Sequence, residues 1–380
     1  MISKQLHHGA YAVGWITYLY CELLAARALL DEEHEGLPCP QDPNTYILGR
    51  MGSHNVAIVF PGEGISGIAP TTEMVTHMVR TFPHIRFGLL VGTGGGAPGP
   101  PDLENPYNDI RLGDVVVGTP GEGHGGIVHY DYGKSEEDGF HISSHTNKPL
   151  AFLLKKVSKL HSDHDLGKGK MDEYILKMRE LAISNPRLGT YSFPGRAYDK
   201  LFPPGTIHVD GGDCSNCDSR AQQVRLERDE PIVHYGLIAS GSRVMKSARR
   251  RDELRDLYGI LCFETEAAGV TDSFPCLVIR GISSYSDSHK NDRWEPYAAV
   301  TAAAYAKDLL RIIVSESDTN TQGSIGSIQE LSALLASKGW NIPSMKADSE
   351  REPAEASKAI TSGDMQDDKQ SVFLPYEFRS

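Results

Sequence analysis

The sequence predicts an α/β fold with helices on both faces of a largely parallel sheet. From residue 10 to residue 314, apolar runs of strand length alternate with segments of helical periodicity. Such alternation is typical of crossover connections, which place helices over both faces of a sheet. The stretch "YILGRMGSHNVAIVF" differs, because two strand-like runs flank one short turn. It predicts a hairpin, and therefore some antiparallel pairing.

The first half of the chain opens with the strand-like run "YAVGWITYLY" and the alanine- and leucine-rich helix "CELLAARALLDEEH". After the hairpin, "APTTEMVTHMVRTFP" predicts a helix that Pro83 ends. The run "IRFGLLVGTGGG" predicts a strand that leads into a glycine-rich loop. Further strands are expected at "RLGDVVVGTP" and "GGIVHYDYG".

The second half continues the alternation, with helices expected over residues 148–162 and 169–184. The run "IVHYGLIASGS" predicts a strand, and "RRRDELRDLYG" predicts a helix that Gly259 ends. Two buried strands are expected at "ILCFETEAAG" and "FPCLVIRGISS". The long helix "PYAAVTAAAYAKDLLRIIV" follows, and its alanines permit close packing.

The composition changes after residue 315, which sets the predicted domain at residues 10–315. Residues 316–326 are rich in Ser, Thr, Gly and Asp and predict a linker. A short helix is expected over about residues 327–340, since Ser327 and Glu330 have the spacing of a capping box. The rest of 316–380 is a polar, acidic tail that we expect to be largely disordered.

Charge and composition exclude several classes of partner. The formal net charge is −12 over 380 residues, and an acidic chain is a poor match for phosphate backbones, so no nucleic acid is expected. No run of about 18 apolar residues occurs, so no membrane partner is expected. The start of the chain lacks the features of a secretory signal, and its six cysteines are sparse. We therefore expect a cytoplasmic protein.

The glycine-rich stretch "LLVGTGGG", Leu89 to Gly96, is the first candidate for a ligand site. Glycines after a strand let a ligand approach backbone N–H groups closely, and Thr93 adds a hydroxyl. No Gly-Lys-Ser/Thr follows, so the stretch is not a P-loop. A purely structural turn remains an alternative.

The stretch "CFETEAAG" places two carboxylates, Glu264 and Glu266, at the end of an apolar strand. In an extended strand both would point to the same side. Such a pair is costly unless sugar hydroxyls, a metal or an arginine binds it. The alternative, an exposed edge strand, fits poorly with the apolar residues 260–263.

The stretch "RGISSYSDSHKN" follows the last predicted strand. Arg280 is a candidate to pair with one of the two glutamates, while Asp287 and His289 are candidates for acid or base catalysis. The alternative is a capped loop into the next helix, in which Asp287 or Ser288 accepts local backbone hydrogen bonds.

The pair Cys214-x-x-Cys217 is interpreted as a loop with two free thiols, and no metal is expected. Half of a zinc site or a redox pair is the alternative. No second pair of this kind exists, and the nearest histidines, His208 and His234, lack zinc-finger spacing.

Taken in order, these motifs resemble the nucleoside phosphorylase superfamily. The resemblance covers about residues 10–315 and rests on "IRFGLLVGTGGG", "GGIVHYDYGK", "HYGLIASGS", "CFETEAAG" and "CLVIRGISSYSDSHKN". It is greatest to the fungal branch, which is similar to methylthioadenosine nucleosidase-like and uridine phosphorylase-like members. The resemblance implies a single three-layer αβα domain around a twisted, mixed, mostly parallel sheet, a homo-oligomer, and a nucleoside-like small molecule as partner.

The resemblance also implies roles for individual residues. Glu266 would hold the ribose hydroxyls, and Glu22 would orient the attacking water. The phosphate or water site would be lined by Thr93, Gly94 and Gly95. The base would be read by Val244 and Met245. No cofactor is implied, with inorganic phosphate left open as a co-substrate. Phosphorylases tend to carry an arginine where this chain has Leu90, which favours hydrolysis over phosphorolysis.

The departures from the family pattern cluster at the implied site. Ser284 stands where the family usually has an aspartate that protonates the leaving base, and a serine hydroxyl is no general acid near neutral pH. Thr265 replaces a methionine, and Tyr18 and Tyr20 replace the outer residues of an Ala-Leu-Pro triplet. We interpret these changes as those of a re-purposed pocket.

The predicted function is therefore cleavage of a nucleoside N-glycosidic bond, by a nucleosidase rather than a phosphorylase, with an altered acid position. The candidate catalytic residues are Glu22, Glu266, Ser284 and Asp287. The candidate substrate-binding residues are Tyr18, Tyr20, Thr93, Gly94, Gly95, Val244, Met245, Glu264, Thr265 and Arg280. Two alternatives remain, a cyclase or lyase of secondary metabolism on the same fold, or a nucleoside-binding module without catalysis.

Overall fold

The computed structural model describes residues 4–314, apart from residues 63, 66, 138, 144, 145 and 229. The predicted linker, the helix over residues 327–340 and the acidic tail lie outside the described residues.

Every strand expected from the apolar runs is present, and three short strands, at residues 32–33, 133–136 and 139–142, are additional. The strands are β1 Val13–Ile16, β2 Glu32–Glu33, β3 Thr45–Met51, β4 His54–Phe60, β5 Phe87–Gly96, β6 Val115–Gly118, β7 Ile127–His129, β8 Gly133–Glu136, β9 Gly139–Ile142, β10 Val233–Ser240, β11 Ile260–Glu264 and β12 Cys276–Ser284. Ten of them form one sheet in the order β11-β10-β6-β12-β5-β1-β4-β3-β2, with β7 beside β10, and β8 pairs with β9 separately.

The helices connect these strands. They are α1 Tyr20–Ala28, α2 Ile68–Thr81, α3 Ala151–Asp165, α4 Met171–Ser184, α5 Ala248–Tyr258, α6 Ala267–Val270 and α7 Glu295–Ile312. In the described residues, none of them is long and apolar enough to cross a bilayer. Helix α5 ends at Gly259, whose φ of 67° is the left-handed conformation that a helix C-terminus favours.

Alternate residues along the central strands pack into two separate hydrophobic clusters. In β5, Leu89 and Val91 join the cluster that contains α1 and α7, while Leu90 joins the cluster that contains α2. The same alternation occurs in β6, where Val116 faces away from Val115 and Val117. Because strand side chains alternate between faces, helices cover both sides of the sheet. The predicted three-layer α/β architecture is confirmed.

The pairing is mixed, with parallel pairs in the majority. The pairs β1–β4, β1–β5, β5–β12, β6–β10 and β10–β11 are parallel. The hairpin β3–β4 is antiparallel around Gly52 and Ser53, as predicted. A further antiparallel contact joins β11 to β5, where Cys262 and Phe263 pair with Gly96 and Gly95. This contact closes β5, β12, β6, β10 and β11 into a ring.

Three local predictions were wrong. The helix expected over "CELLAARALLDEEH" ends at Ala28, because residues 32–33 pair with β3 as a strand. The glycine-rich loop is strand, because Gly95 and Gly96 pair with β11 and β5 therefore continues to Gly96. Glu266 lies outside the strand, since β11 ends at Glu264 and the backbone of Glu266 (φ −122°, ψ −35°) turns into α6. Both glutamates nevertheless reach the same arginine, as described below.

Candidate active site

Arg280 is the centre of the candidate site. It stands on the fully buried strand β12 and is itself 1% exposed. Its guanidinium group forms ion pairs with Glu264 and, at 3.0 Å, with Glu266. Its Nη1 donates to the carbonyl oxygen of Thr93 at 3.3 Å. The predicted pairing of Arg280 with a glutamate is therefore present, and it involves both.

Glu22 brings a third carboxyl group to this cluster. It lies in the first turn of α1 and is 3% exposed. Its Oε2 accepts the backbone N–H groups of Tyr18 and Leu19 at 2.8 and 3.0 Å. Its Oε1 accepts the backbone N–H and the hydroxyl of Thr93 at 2.7 and 3.1 Å. Glu22 thus joins the start of α1 to the end of β5.

Glu264 and Glu266 make different contacts although they are two residues apart. Glu264 accepts the backbone N–H groups of Glu266 and Ala267, at 3.0 to 3.1 Å, and so supports the turn into α6. Glu266 accepts a hydrogen bond from the hydroxyl of Thr265. Both carboxyl groups line the cavity. Glu264 also supports the backbone of α6, whereas the carboxyl group of Glu266 contacts the side chains of Arg280, Thr265 and Glu264.

Gly92 on β5 makes room for this arrangement. A Cβ atom at this position would lie 2.6 Å from both the Glu22 Oε1 and the Arg280 Nη1. Real Cβ atoms do not approach so closely, so a larger residue would push the two side chains apart. The glycine is required because the carboxylate and the guanidinium both pass over it.

Burial shifts the pKa values of these groups. Desolvation raises the pKa of Glu22 above its usual value, although Arg280 and the backbone N–H donors of Leu19, Thr93 and Tyr18 limit the rise. Desolvation also raises the pKa of Glu266, again against the attraction of Arg280. The three surrounding carboxyl groups raise the pKa of Arg280 despite its own burial. One cation thus faces three carboxyl groups in a water-poor site.

A cavity of about 270 Å³ opens beside this cluster. It brings together most of the residues predicted from sequence, namely Tyr18, Glu22, Thr93, Gly94, Gly95, Val244, Met245, Glu264, Thr265, Glu266, Arg280 and Ser284. Its size lies near the lower end of the range of about 300–1,000 Å³ that is typical of small-molecule sites.

Two of the predicted residues do not line this cavity. Tyr20 is 65% exposed at the start of α1. Asp287 is buried and lines a neighbouring cavity, which it shares with Ser283 and Ser284.

The carboxylate of Asp287 accepts the backbone N–H of His289 at 2.9 Å, and burial raises the pKa of Asp287. Tyr18 lines the cavity, but its hydroxyl is hydrogen-bonded to Thr71 at 2.6 Å.

The serines at the end of β12 surround Gly95. A Cβ atom on Gly95 would lie 2.2 Å from the Ser286 hydroxyl and 3.2 Å from the Ser284 hydroxyl. Ser286 has a φ of 53°, which is unusual for a residue other than glycine. Its buried hydroxyl has no hydrogen-bond partner among the described residues. Such strain occurs most often at ligand sites.

The cavity also contains residues that the sequence analysis did not single out. These are Leu19, Arg243, Phe263, Ser283, Ser286, Lys290 and Glu295. Among them, the ammonium group of Lys290 donates to the carboxylate of Glu295 at 2.9 Å. Lys290 and Ser286 lie within "RGISSYSDSHKN", and Arg243 precedes Val244. Their closeness in sequence to predicted site residues was therefore the signal that could have identified them.

The chain was compared with known proteins. No family model matches it. A protein of Hyaloscypha variabilis named nucleotide-binding leucine-rich repeat (NLR)-like protein is 40% identical over 306 residues, which cover 80% of this chain and 29% of that protein. A protein of Escherichia coli named ATP nucleosidase Cap17 is 36% identical over 86 residues, which cover 21% of this chain and 17% of that protein. The matched parts are thus less than a third of either relative.

A solved structure shares the fold across the domain. The 5'-methylthioadenosine/S-adenosylhomocysteine nucleosidase of Neisseria meningitidis superposes with a TM-score of 0.50 at 14% identity. The match covers 80% of this chain and 99% of that protein. Together with the mixed sheet and its two helical layers, this likeness establishes the architecture. The chain therefore shares the fold of this nucleosidase.

Proposed function

We propose that the chain cleaves the N-glycosidic bond of a nucleoside or nucleotide by hydrolysis. The observation that carries the proposal is the placement of three buried carboxyl groups, Glu22, Glu264 and Glu266, around the guanidinium group of Arg280. Glycosidic cleavage gives the ribose the character of an oxocarbenium ion. An electronegative, water-poor site stabilises that positive charge more in the transition state than in the ground state.

The same electrostatics favour water over phosphate as the attacking group. Thr93, Gly94 and Gly95 would line the site of attack, and the carboxyl group of Glu22 lies against Thr93. A phosphate dianion there would meet like charge, while a water molecule would find a hydrogen-bond acceptor. Leu90 is buried in the hydrophobic core and supplies no cation.

Glu22 has the position of a general base for that water. Its bond to the Thr93 hydroxyl is its longest, at 3.1 Å, and a hydroxyl can rotate to another acceptor. A water molecule that replaces this hydroxyl would donate its proton to Oε1. The raised pKa of Glu22 makes the carboxylate a stronger base than an exposed glutamate.

Glu266 is proposed to bind the ribose hydroxyls. Arg280 and Thr265 hold its carboxylate in one orientation at the edge of the cavity. A carboxylate held in this way accepts hydrogen bonds from neighbouring hydroxyls without first losing rotational freedom. Val244 and Met245, which also line the cavity, would then contact the base.

Protonation of the leaving base is the step for which the site is poorly equipped. Ser284 is 5% exposed beside the cavity and can donate a hydrogen bond but no proton of suitable acidity. We therefore propose a substrate whose base leaves without strong protonation, or one that Ser284 assists by hydrogen bonding alone.

A cleft beside the cavity, lined by three basic residues and by Asp131, supports a phosphorylated substrate. Arg243 lines both the cavity and the cleft, whereas Lys246 and Arg250 line the cleft and not the cavity. Cations at this position would bind phosphate groups of a nucleotide while the nucleoside part occupies the cavity. The name of the Escherichia coli relative, an ATP nucleosidase, agrees with this subclass.

The test is a panel of purine and pyrimidine nucleosides and their 5'-mono- and triphosphates, with release of free base measured by chromatography. We expect release without added phosphate, at a rate that phosphate does not increase, and loss of release in Glu266→Gln. Rates that require phosphate would overturn hydrolysis. Tight binding of a nucleoside without turnover would overturn the enzymatic hypothesis and support a nucleoside-binding module instead.

A further inference from the structure

Three potential zinc ligands converge outside the glycosidic site, and a fourth lies beside one of them. His208, Cys217 and His289 place one ligand atom each within 4.8 Å of one another. Cys214 extends the group, since its Sγ lies 3.9 Å from the His208 Nδ1, while the Cys217 Sγ lies 3.4 Å from the same nitrogen. Zinc–sulfur bonds of about 2.3 Å and zinc–nitrogen bonds of about 2.0 Å in a tetrahedron would place ligand atoms at similar separations.

His289 is the observation that points to a ligand. It is 6% exposed, and neither of its ring nitrogens has a hydrogen-bond partner among the described residues. Its ring stacks on Phe202 at 4.1 Å, which fixes its plane. The Asp287 Oδ1 lies 3.8 Å from its Nδ1, beyond hydrogen-bond distance. A buried imidazole without a hydrogen bond on either nitrogen is costly, and coordination of a metal removes that cost.

His208 is oriented for the same role. Its Nε2 lies 3.2 Å from the carbonyl oxygen of Gly211, so that nitrogen carries the proton and donates it. Nδ1 is then left with its lone pair directed at Cys214 and Cys217. Metal-binding histidines usually have their second nitrogen held in this way.

We propose that Cys214, Cys217, His208 and His289 bind one zinc ion as a structural site. Two thiolates and two neutral imidazoles balance the charge of Zn²⁺, which suits the buried location, and the two thiol protons are released on binding. The site revises the expectation of free thiols. The sequence could not indicate it, because His289 lies 72 residues beyond Cys217.

The zinc ion would fix the loop that follows β12. Cys214, Asp287 and His289 line one cavity together with Ser284. The irregular segment that carries Cys214 and Cys217 would thus be tied to the loop beyond Ser284. Four protein ligands leave no open position, so the ion would have a structural and not a catalytic role.

The full chain, purified without a histidine tag or chelator, should contain about one zinc ion by mass spectrometry of the metal. We expect Cys217→Ser and His289→Gln to reduce the content at least about tenfold, and Cys39→Ser, a cysteine outside the cluster, to retain it. If those variants fold poorly, chelated wild-type protein should regain one equivalent of Co²⁺ with the visible absorption of tetrahedral thiolate coordination.

Two results would overturn the proposal. One is reduced, folded protein without zinc that does not take up Co²⁺ with this absorption. The other is a Cys214–Cys217 disulfide in the native protein, detected by mass spectrometry after alkylation.

Discussion

Glu22 and Thr93 are joined by two hydrogen bonds, of 2.7 and 3.1 Å, across 71 residues of sequence. The contact brings the first helix to the glycine-rich end of β5. It also places a carboxyl group where the proposed attacking water would lie. The first two predictions concern this contact.

Replacement of Glu22 by Gln should lower both activity and stability. The amide removes the base, and loss of general base catalysis typically lowers kcat/KM by about 10²–10⁴. It also turns an N–H₂ group towards backbone donors, at an expected cost of about 1–3 kcal/mol. Base release and urea unfolding measure the two effects. Full activity in this variant would contradict the assignment of Glu22.

The pH profile should reflect the raised pKa of Glu22. A carboxylate base is active above its pKa, so kcat/KM should fall as the pH is lowered through a pKa above the usual 4.5. Protonation of Glu266, whose pKa is also raised, would act in the same direction. Initial rates measured from pH 4 to pH 8 would show this decline of kcat/KM on the acidic side. A profile flat down to pH 4.5 would exclude Glu22 as the base.

Glu264 and Glu266 should respond differently to the same substitution. Glu266→Gln should lose most of kcat/KM with a smaller drop in melting temperature than Glu264→Gln, because both lose an ion pair with Arg280 but only Glu264 also accepts backbone N–H groups. Glu264→Gln should lose stability, because its two oxygens accept the backbone N–H groups at the start of α6. Thermal unfolding and base release together distinguish the two. An equal loss of stability in both variants would argue against distinct roles.

Gly92→Ala should disrupt the contact between Glu22 and Arg280. The added methyl would lie 2.6 Å from Glu22 and Arg280 and separate them, so activity should fall by at least tenfold, about 1.4 kcal/mol. The matched control is Gly99→Ala, since a Cβ there meets nothing within 4 Å. The control should keep wild-type rates. Unchanged rates in Gly92→Ala would show that the close approach has no functional role.

Ser284→Asp should improve turnover of purine nucleosides. The new carboxyl group would supply the acid that Ser284 lacks, and general acids contribute about 10²–10⁴ in rate. Even an increase of about tenfold would support the assignment. Ser158→Asp, on the exposed side of α3, makes the same charge change away from the site. A decrease in the rates for all purine substrates would show that Ser284 has another role.

The alternation of strands and helices was predictable because apolar periodicity reports burial locally. The hairpin at Gly52 and the end of α5 at Gly259 were predictable for another local reason, because glycine readily adopts the positive φ found at both positions. The end of β5 was not, because its glycines become strand only through pairing with Cys262 and Phe263, about 170 residues later.

The site was predictable in its composition and not in its geometry. Spacing placed Glu264 and Glu266 on one side of a strand, yet Glu266 reaches Arg280 from a turn. Similarly, nothing in the sequence around Glu22 indicates that its partners include Thr93. The contacts of Arg243 and Lys290 with the cavity depend on loops, whose paths local patterns do not determine.

The contact between β11 and β5 determines which part of the sheet should unfold first. A ring of strands has no free edge, so its members cannot peel away one at a time. The hairpin β3–β4 and strand β2, at the other end of the sheet, remain free to fray. Local unfolding should therefore begin there, and amide hydrogens of β5 and β12 should exchange only in the slowest class. The protein would lose its outer strands before its carboxylate cluster loosens.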